Sequence, residues 1–190
     1  MSDVLYIHGF NSSPQSLKAE LTKEYLINNH PSIDFHCPQL ANTPLAAIAQ
    51  LEEILRVNPD GQWSLIGSSL GGYFSTYLAE KFAIPAVLIN PAVRPFELLA
   101  DYIGEQVNPY TNEVYRVEAE HIEHLKSLEH KKLTKNLYKI MVQTGDEVLD
   151  YRQAVEKYQG CQLVVQQGGD HGFLDYEKCL PDIANFLQWQ

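Results

Sequence analysis

Trp63-Ser64-Leu65-Ile66-Gly67-Ser68-Ser69-Leu70-Gly71-Gly72-Tyr73 is the stretch on which the reading of this chain turns. It reads as a short buried strand, a tight turn and the start of a helix. Within it, Gly67-Ser68-Ser69-Leu70-Gly71 fits the pattern G-x-S-x-G, with Ser69 at its centre. In a nucleophile elbow the serine sits on a strained turn at the C-terminal edge of a strand, and the turn pushes its hydroxyl out of the sheet. Strand and helix then run so close together that side chains two residues before and two residues after the serine would collide, so glycine stands at both positions. Ser68 does not fit, because its own flanks are Ile66 and Leu70. A bare Gly-Ser pattern also marks ordinary turns. Here the apolar run Trp63 to Ile66 before it and the helical pattern after it favour the elbow. Such an elbow needs a base, an acid and an oxyanion hole from elsewhere in the chain.

Working outward, the chain alternates short apolar runs with amphipathic ones. Val4 to Ile7 predicts a strand ending at His8-Gly9-Phe10. Ser13 and Pro14 read as the start of a helix carrying Leu17, Leu21, Tyr25 and Leu26, which stops near Asn29, ahead of Pro31. Ile33 to Cys37 is a second strand. Leu45, Ile48, Leu51, Ile54 and Leu55 mark a second helix, opened by Thr43-Pro44 and closed by the turn Asn58-Pro59-Asp60-Gly61. Ala86 to Asn90 follows the Ser69 helix as a continuous apolar strand, as a parallel strand covered on both faces requires. Leu137 to Gln143 and Cys161 to Val165 are two more strands, with a helix around Tyr151 to Tyr158 between them and a last helix from Pro181 to Gln190. The pattern predicts an α/β fold: a mostly parallel sheet of about six strands with helices on both faces. His8, Ser69, Asp146 and His171 all fall just after strands, at the edge where such sheets gather their function.

Composition narrows the class. At 190 residues the chain reads as a single domain, 1–190, large enough to bury a core. The segment from about 91 to 133 is longer than an ordinary crossover and is expected to form a small cap-like insertion. A net charge of −10 argues against nucleic acid or an anionic membrane surface as a partner. No N-terminal run has the length and apolarity of a signal peptide or membrane span, so no stable membrane insertion is expected. Cys37, Cys161 and Cys179 are odd in number and lack metal-ligand spacing, so they read as reduced thiols of a cytoplasmic protein. No metal or cofactor is implied, and oligomeric order is not written in these patterns.

The order Ser69, Asp146, His171, with the serine in G-x-S-x-G, resembles the α/β-hydrolase fold. His8-Gly9-Phe10 resembles its oxyanion loop, Gly145-Asp146-Glu147-Val148 its acid loop, and Gly169-Asp170-His171-Gly172-Phe173 its histidine loop. More narrowly, Tyr6-Ile7-His8-Gly9-Phe10-Asn11-Ser12-Ser13-Pro14 together with Gly67 to Tyr73 is similar to the small YqiA-type esterases of bacteria. The likeness covers nearly the whole chain, except that the chain begins where the third strand of the common fold would lie. It implies a serine hydrolase acting on carboxylic esters, acyl thioesters such as acyl-CoA being a further class. Ser69 would be the nucleophile, His171 the base and Asp146 the acid, with the backbone amides of Phe10 and Leu70 as oxyanion donors. A hydrolase-like binding protein without chemistry, or a peptidase or C–C hydrolase on the same triad, are the competing readings.

Other residues carry two readings each. Phe96, Leu99 and Tyr102 are candidates for an acyl pocket or for the core face of a crossover helix. His8 reads as a structural neighbour of the oxyanion loop. His121 and His124, among Glu118, Glu120 and Glu123, read as a solvated helix face rather than a metal site. Among carboxylates near the right loops, Asp150 and Asp175 read as helix-start residues, and Glu147 is expected to point away from the site.

Overall fold

The computed structural model describes residues 2–59 and 61–189. Met1, Asp60 and Gln190, which the expected N-terminal run, second turn and last helix take in, lie outside the described residues. In chain order the elements are β1 (Ser2–Ile7), α1 (Leu17–Asn29), β2 (Ile33–His36), α2 (Pro44–Val57), β3 (Gln62–Ser68), α3 (Leu70–Phe82), β4 (Ala86–Ile89), α4 (Pro95–Leu99), β5 (Gly104–Val107), β6 (Val114–Val117), α5 (Ala119–Ser127), β7 (Tyr138–Gln143), α6 (Tyr151–Lys157), β8 (Gln162–Gln166) and α7 (Leu180–Leu187). A six-stranded sheet runs in the order β2-β1-β3-β4-β7-β8, and every pairing in it is parallel.

The period of two along each strand divides the core between the two faces. Leu5 and Ile7 of β1 join Leu65, Leu88 and Ile140 beneath Leu51 of α2 and Phe74 and Leu78 of α3. Val4 and Tyr6 point the other way, joining Ile66, Val87 and Met141 beneath Ala19 and Leu26 of α1 and Ile183 of α7. Burying each large apolar side chain stabilises the fold by about 1.5–3 kcal/mol, so both faces must be covered. The chain winds outward from β1 to β2 in one direction and from β3 onward in the other. The chain leaving β1 therefore crosses to one face of the sheet, toward α1, and the chain leaving β3 to the other, as α3, at neighbouring points of the C-terminal edge.

Two elements differ from expectation. α1 begins at Leu17, not at Pro14, because Ser13 closes its own turn: its Oγ accepts from Gln15 N–H at 3.0 Å and its carbonyl from Ser16 N–H at 3.1 Å. The helix then buries Ala19, Thr22 and Leu26 and leaves Leu17 at 72% exposure. Thr22 can be buried because its hydroxyl meets both Lys18 O, at 2.7 Å, and the Tyr176 hydroxyl, at 2.9 Å. The second difference lies within 91–133. After α4 and a 3-10 turn at Ala100–Tyr102, the chain forms an antiparallel hairpin, β5 with β6, before α5. Asn108 builds the turn, its Oδ1 accepting from the amides of Tyr110 at 2.9 Å and Thr111 at 3.3 Å. Four-residue strands with one face exposed carry too little pattern to be read in advance.

Candidate active site

Ser69 joins β3 to α3 with φ 55° and ψ −120°, a conformation that a non-glycine side chain rarely takes. The backbone around it compensates. Ser69 N–H donates to Ile89 O at 3.1 Å, and its carbonyl accepts from Gly72 N–H at 2.9 Å and Ala92 N–H at 3.0 Å. The flanking glycines are required sterically. A Cβ on Gly67 would strike the Gly71 backbone, and one on Gly71 would strike the carbonyls of Ile7 and His8. The second contact presses the elbow against the end of β1, which sets the Phe10 loop beside Ser69. Leu70 opens α3, where amides have no intrahelical acceptor. Among the described residues, neither the Leu70 nor the Phe10 N–H donates to another group.

His8 is buried at this junction. Leu40 N–H donates to its Nε2 at 3.2 Å, and Nδ1 lies 3.0 Å from Gly9 O. A carbonyl only accepts, so the proton sits on Nδ1 and the ring is neutral. Burial pushes the His8 imidazole below its ordinary value, against the opposing Gly9 hydrogen bond. His8 thus ties β1's loop to residue 40 and has no free nitrogen for proton transfer.

Opposite lies a carboxylate–imidazole pair. His171 Nδ1 is 3.0 Å and 2.9 Å from the two carboxylate oxygens of Asp146. The same carboxylate accepts from Val148 N–H at 2.9 Å and Leu149 N–H at 2.8 Å, and its side chain is 2% exposed. Burial pushes this carboxyl up, but the His171 hydrogen bond, the His171 charge and the two amides together hold it below its ordinary value. Asp150 caps α6 by accepting from Arg152 N–H at 3.0 Å, and Asp175 pairs with Lys178 at 2.8 Å. Glu147 departs from expectation: its Oε2 accepts from His171 N–H at 3.0 Å and so holds the histidine loop instead of pointing away. Among the described residues no hydrogen bond links Ser69 Oγ to His171; in free enzymes such bonds are often long and tighten on substrate.

Two supports escaped the sequence reading. Asn90, just past β4 at φ 41°, donates from Nδ2 to the carbonyls of Asp170 at 3.0 Å and His171 at 3.3 Å, and accepts from Gln143 N–H at 3.0 Å. Gln143, the last residue of β7, accepts through Oε1 from Asp170 N–H at 3.1 Å and Leu174 N–H at 2.9 Å. Its Nε2 donates to Leu174 O at 2.8 Å. These two side chains bolt the histidine loop to the sheet edge. The one signal in the sequence is an amide residue at the end of a buried strand, where a buried polar group needs partners.

A cavity of about 100 Å³ opens at Ser69, lined by Phe10, Pro95, Leu98, Leu99 and Tyr102 among others. Leu99 and Tyr102 are therefore among the lining residues expected, but Phe96 is not: it packs against the core. Helical spacing explains the division, because 95, 98, 99 and 102 share one face and 96 lies off it. Contrary to a solvated face, His121 is buried and closes a capping box, its Nδ1 accepting from Glu118 N–H at 3.1 Å. Among the described residues no three His, Cys, Asp or Glu side chains gather as a metal site, and no helix is long and apolar enough to cross a membrane. Burial, with Glu20 nearby, pushes the Cys37 thiol up to about 12, which leaves it a poor nucleophile.

Residues 3–188 match the model of an uncharacterised protein family, UPF0227. Among solved structures, the chain is similar to Est1E from Butyrivibrio proteoclasticus, with a TM-score of 0.74 at 15% identity over 98% of this chain and 87% of that one. The mouse alpha/beta hydrolase domain-containing protein 10 superposes with a TM-score of 0.72 at 17% identity, covering 98% and 89% of the two chains. The esterase domain of a Rhodothermus marinus protein gives 0.70 at 16% identity, over 97% and 85%. At these identities the likeness establishes the fold, which is that of the α/β hydrolases.

Proposed function

We propose that this chain, which belongs to the UPF0227 family, is a serine hydrolase that cleaves carboxylic esters through Ser69, His171 and Asp146. The observation that carries the reading is the strained serine, at φ 55°, on the same sheet edge as a buried carboxylate paired with an imidazole at 2.9 Å. A serine hydroxyl is a weak nucleophile without an adjacent base. With Nδ1 turned to Asp146, His171 is left with Nε2 for proton transfer. Ser69 Oγ attacks the ester carbonyl while His171 takes its proton, and Asp146 stabilises the imidazolium that forms. The oxyanion of the tetrahedral intermediate lies against the N–H groups of Leu70 and Phe10, each such donor typically contributing about 3 kcal/mol. The start of α3 adds a positive dipole end to the same spot. Collapse breaks the C–O bond, and His171 returns the proton to the departing alcohol. Water then releases the acid from the acyl-enzyme by the same steps.

In this reading the chain is one hydrolase domain, and the segment at 91–133 acts as a small cap that bounds the acyl side. The cavity's apolar lining suits a short acyl chain, carried as an ester or as a thioester such as acyl-CoA. The net charge of −10 speaks against nucleic acid as a partner, and the three unpaired cysteines fit a reducing cytoplasm. The test has two arms. A fluorophosphonate probe should label Ser69 in the native protein and fail on Ser69→Ala; absence of labelling would leave a hydrolase-like binding protein. A panel of esters, thioesters and peptides should then show turnover on esters first. Preference for peptides would move the chain to another reaction on the same triad.

A further inference from the structure

The segment at 91–133 does more than line the cavity: it also holds the loop that carries Phe10. Asn11 follows Phe10 directly and sits at φ 50°. Its Oδ1 accepts from the Tyr115 hydroxyl at 2.6 Å. One residue on, the Ser12 carbonyl accepts two side-chain amides, from Asn108 at 3.0 Å and Gln39 at 3.1 Å. Tyr115 lies on β6 and Asn108 just past β5, so a single hairpin supplies two of these three bonds. That hairpin is itself tied to the body of the protein, because Asn42 Nδ2 donates to Glu113 Oε1 at 2.8 Å. The Phe10 ring is met edge-on by Tyr102 at 5.2 Å and Tyr115 at 6.4 Å.

The direction of an N–H is set by the dihedral angles on either side of it. For Phe10 these are ψ of Gly9 and φ of Phe10, and the positive φ of Asn11 acts on them from the next peptide unit, by fixing the direction in which the chain leaves Phe10; nothing in Asn11's own covalent structure enforces that turn. The side-chain bond to Tyr115 does. Without it the loop can relax toward a less strained backbone, and the Phe10 amide swings with it. An oxyanion donor misaimed by a fraction of an ångström loses most of its value, since such donors act by being fixed before charge develops. Burial, with Glu113 nearby, also pushes the Tyr115 hydroxyl up to about 12, so it remains a donor at neutral pH.

We infer that Tyr115 is a positioning residue for the oxyanion hole, acting through Asn11 to fix the Phe10 amide, so that the hairpin at 104–117 completes the catalytic geometry of the elbow. This inference rests on the serine hydrolase reading above.

The experiment is a double-mutant cycle on the Tyr115–Asn11 bond, with p-nitrophenyl butyrate as substrate. Tyr115→Phe keeps the ring against Phe10 and removes only the hydroxyl. Asn11→Gly removes the acceptor and tolerates the positive φ. Each should lower kcat by about tenfold with KM moved by less than about twofold, the signature of an interaction that counts only in the transition state. The double variant should be no worse than either single one, because both remove the same bond. If Tyr115→Phe melts early, Asn11→Gly reads the same bond from the other side. Unchanged kcat in both variants, a rise in KM alone, or effects that multiply in the double variant would each overturn the positioning role. Fluorophosphonate labelling of Ser69 in the native protein separates the two readings. If Ser69 is labelled and kcat ignores Tyr115, only the positioning role falls; if Ser69 is unlabelled and Ser69→Ala keeps its activity, both fall.

Discussion

The elbow at Ser69 and the insertion at 91–133 meet at one cavity, yet they are built on different rules. The elbow is local. Its strain, its free amide and the need for Gly67 arise within the turn itself, where one strand gives way to one helix, while Gly71 answers to the end of β1 packed against it. The insertion is held from outside. Its hairpin of two four-residue strands is anchored by Tyr115 on Asn11, Asn108 on Ser12 and Glu113 on Asn42, partners 71 to 104 residues away in sequence. The contrast teaches that a strained serine turn can be specified largely by the residues that flank it, whereas the cavity wall beside it depends on distant loops remaining in register.

The largest expected effect lies on the elbow side. Ser69→Ala should abolish ester turnover while the thermal unfolding midpoint stays within a few degrees of the parent, because the hydroxyl removed has no hydrogen-bond partner among the described residues. Substantial activity in the folded variant would break the contrast at its root. Next comes the acid. Asp146→Asn should lower kcat by about 10⁴, because an amide favours the wrong histidine tautomer. Asp150→Asn serves as its control, since that carboxylate only caps α6 and pairs with Arg152. A larger loss from Asp150→Asn would reassign the acid.

On the insertion side the effects should be smaller and should separate by helix face. Leu98→Ala and Leu99→Ala widen the cavity and should shift the chain-length profile of p-nitrophenyl esters toward longer acyl groups by several fold, Leu99→Ala at a cost in stability as well, because Leu99 also belongs to the buried core. Phe96→Ala, on the core side of the same helix, should lower stability by up to about 3 kcal/mol while leaving that profile unchanged. A profile that moves with Phe96 and ignores Leu98 and Leu99 would show that the cavity does not bound the acyl chain.

The smallest effect concerns pH at the junction of the two regions. Folding holds His8 below its ordinary value, so as pH falls the unfolded chain takes up this proton first. The stability this residue contributes is complete above pH ~6.5 and is lost as pH falls below that value toward its folded pKa. Asp146 is also depressed, but as a carboxylate its contribution is lost only below about pH 4, outside that window. Melting curves between pH 7 and 5 (roughly the His8 window) should therefore fall by a few degrees, and His8→Asn should flatten part of the fall. Parallel curves for the parent and His8→Asn would show that His8 carries no such load.

By itself, the sequence determined the alternation of strands and helices, the parallel sheet and the edge at which His8, Ser69, Asp146 and His171 emerge. Those features follow from short-range causes: period-two and helical spacing of apolar residues, prolines and glycines at turns, and the bare steric demand for glycine at 67. Tertiary structure alone decided which faces the remaining side chains would take. Phe96 turned to the core because a five-residue helix can offer only one face to the cavity. Glu147 turned inward to meet a backbone amide 24 residues on. Asn90 and Gln143 look like ordinary strand ends until the histidine loop folds over them and makes five hydrogen bonds to the two side chains. Each of these outcomes satisfies a polar group or fills a space whose other half lies elsewhere in the chain, and local pattern contains no information about the other half.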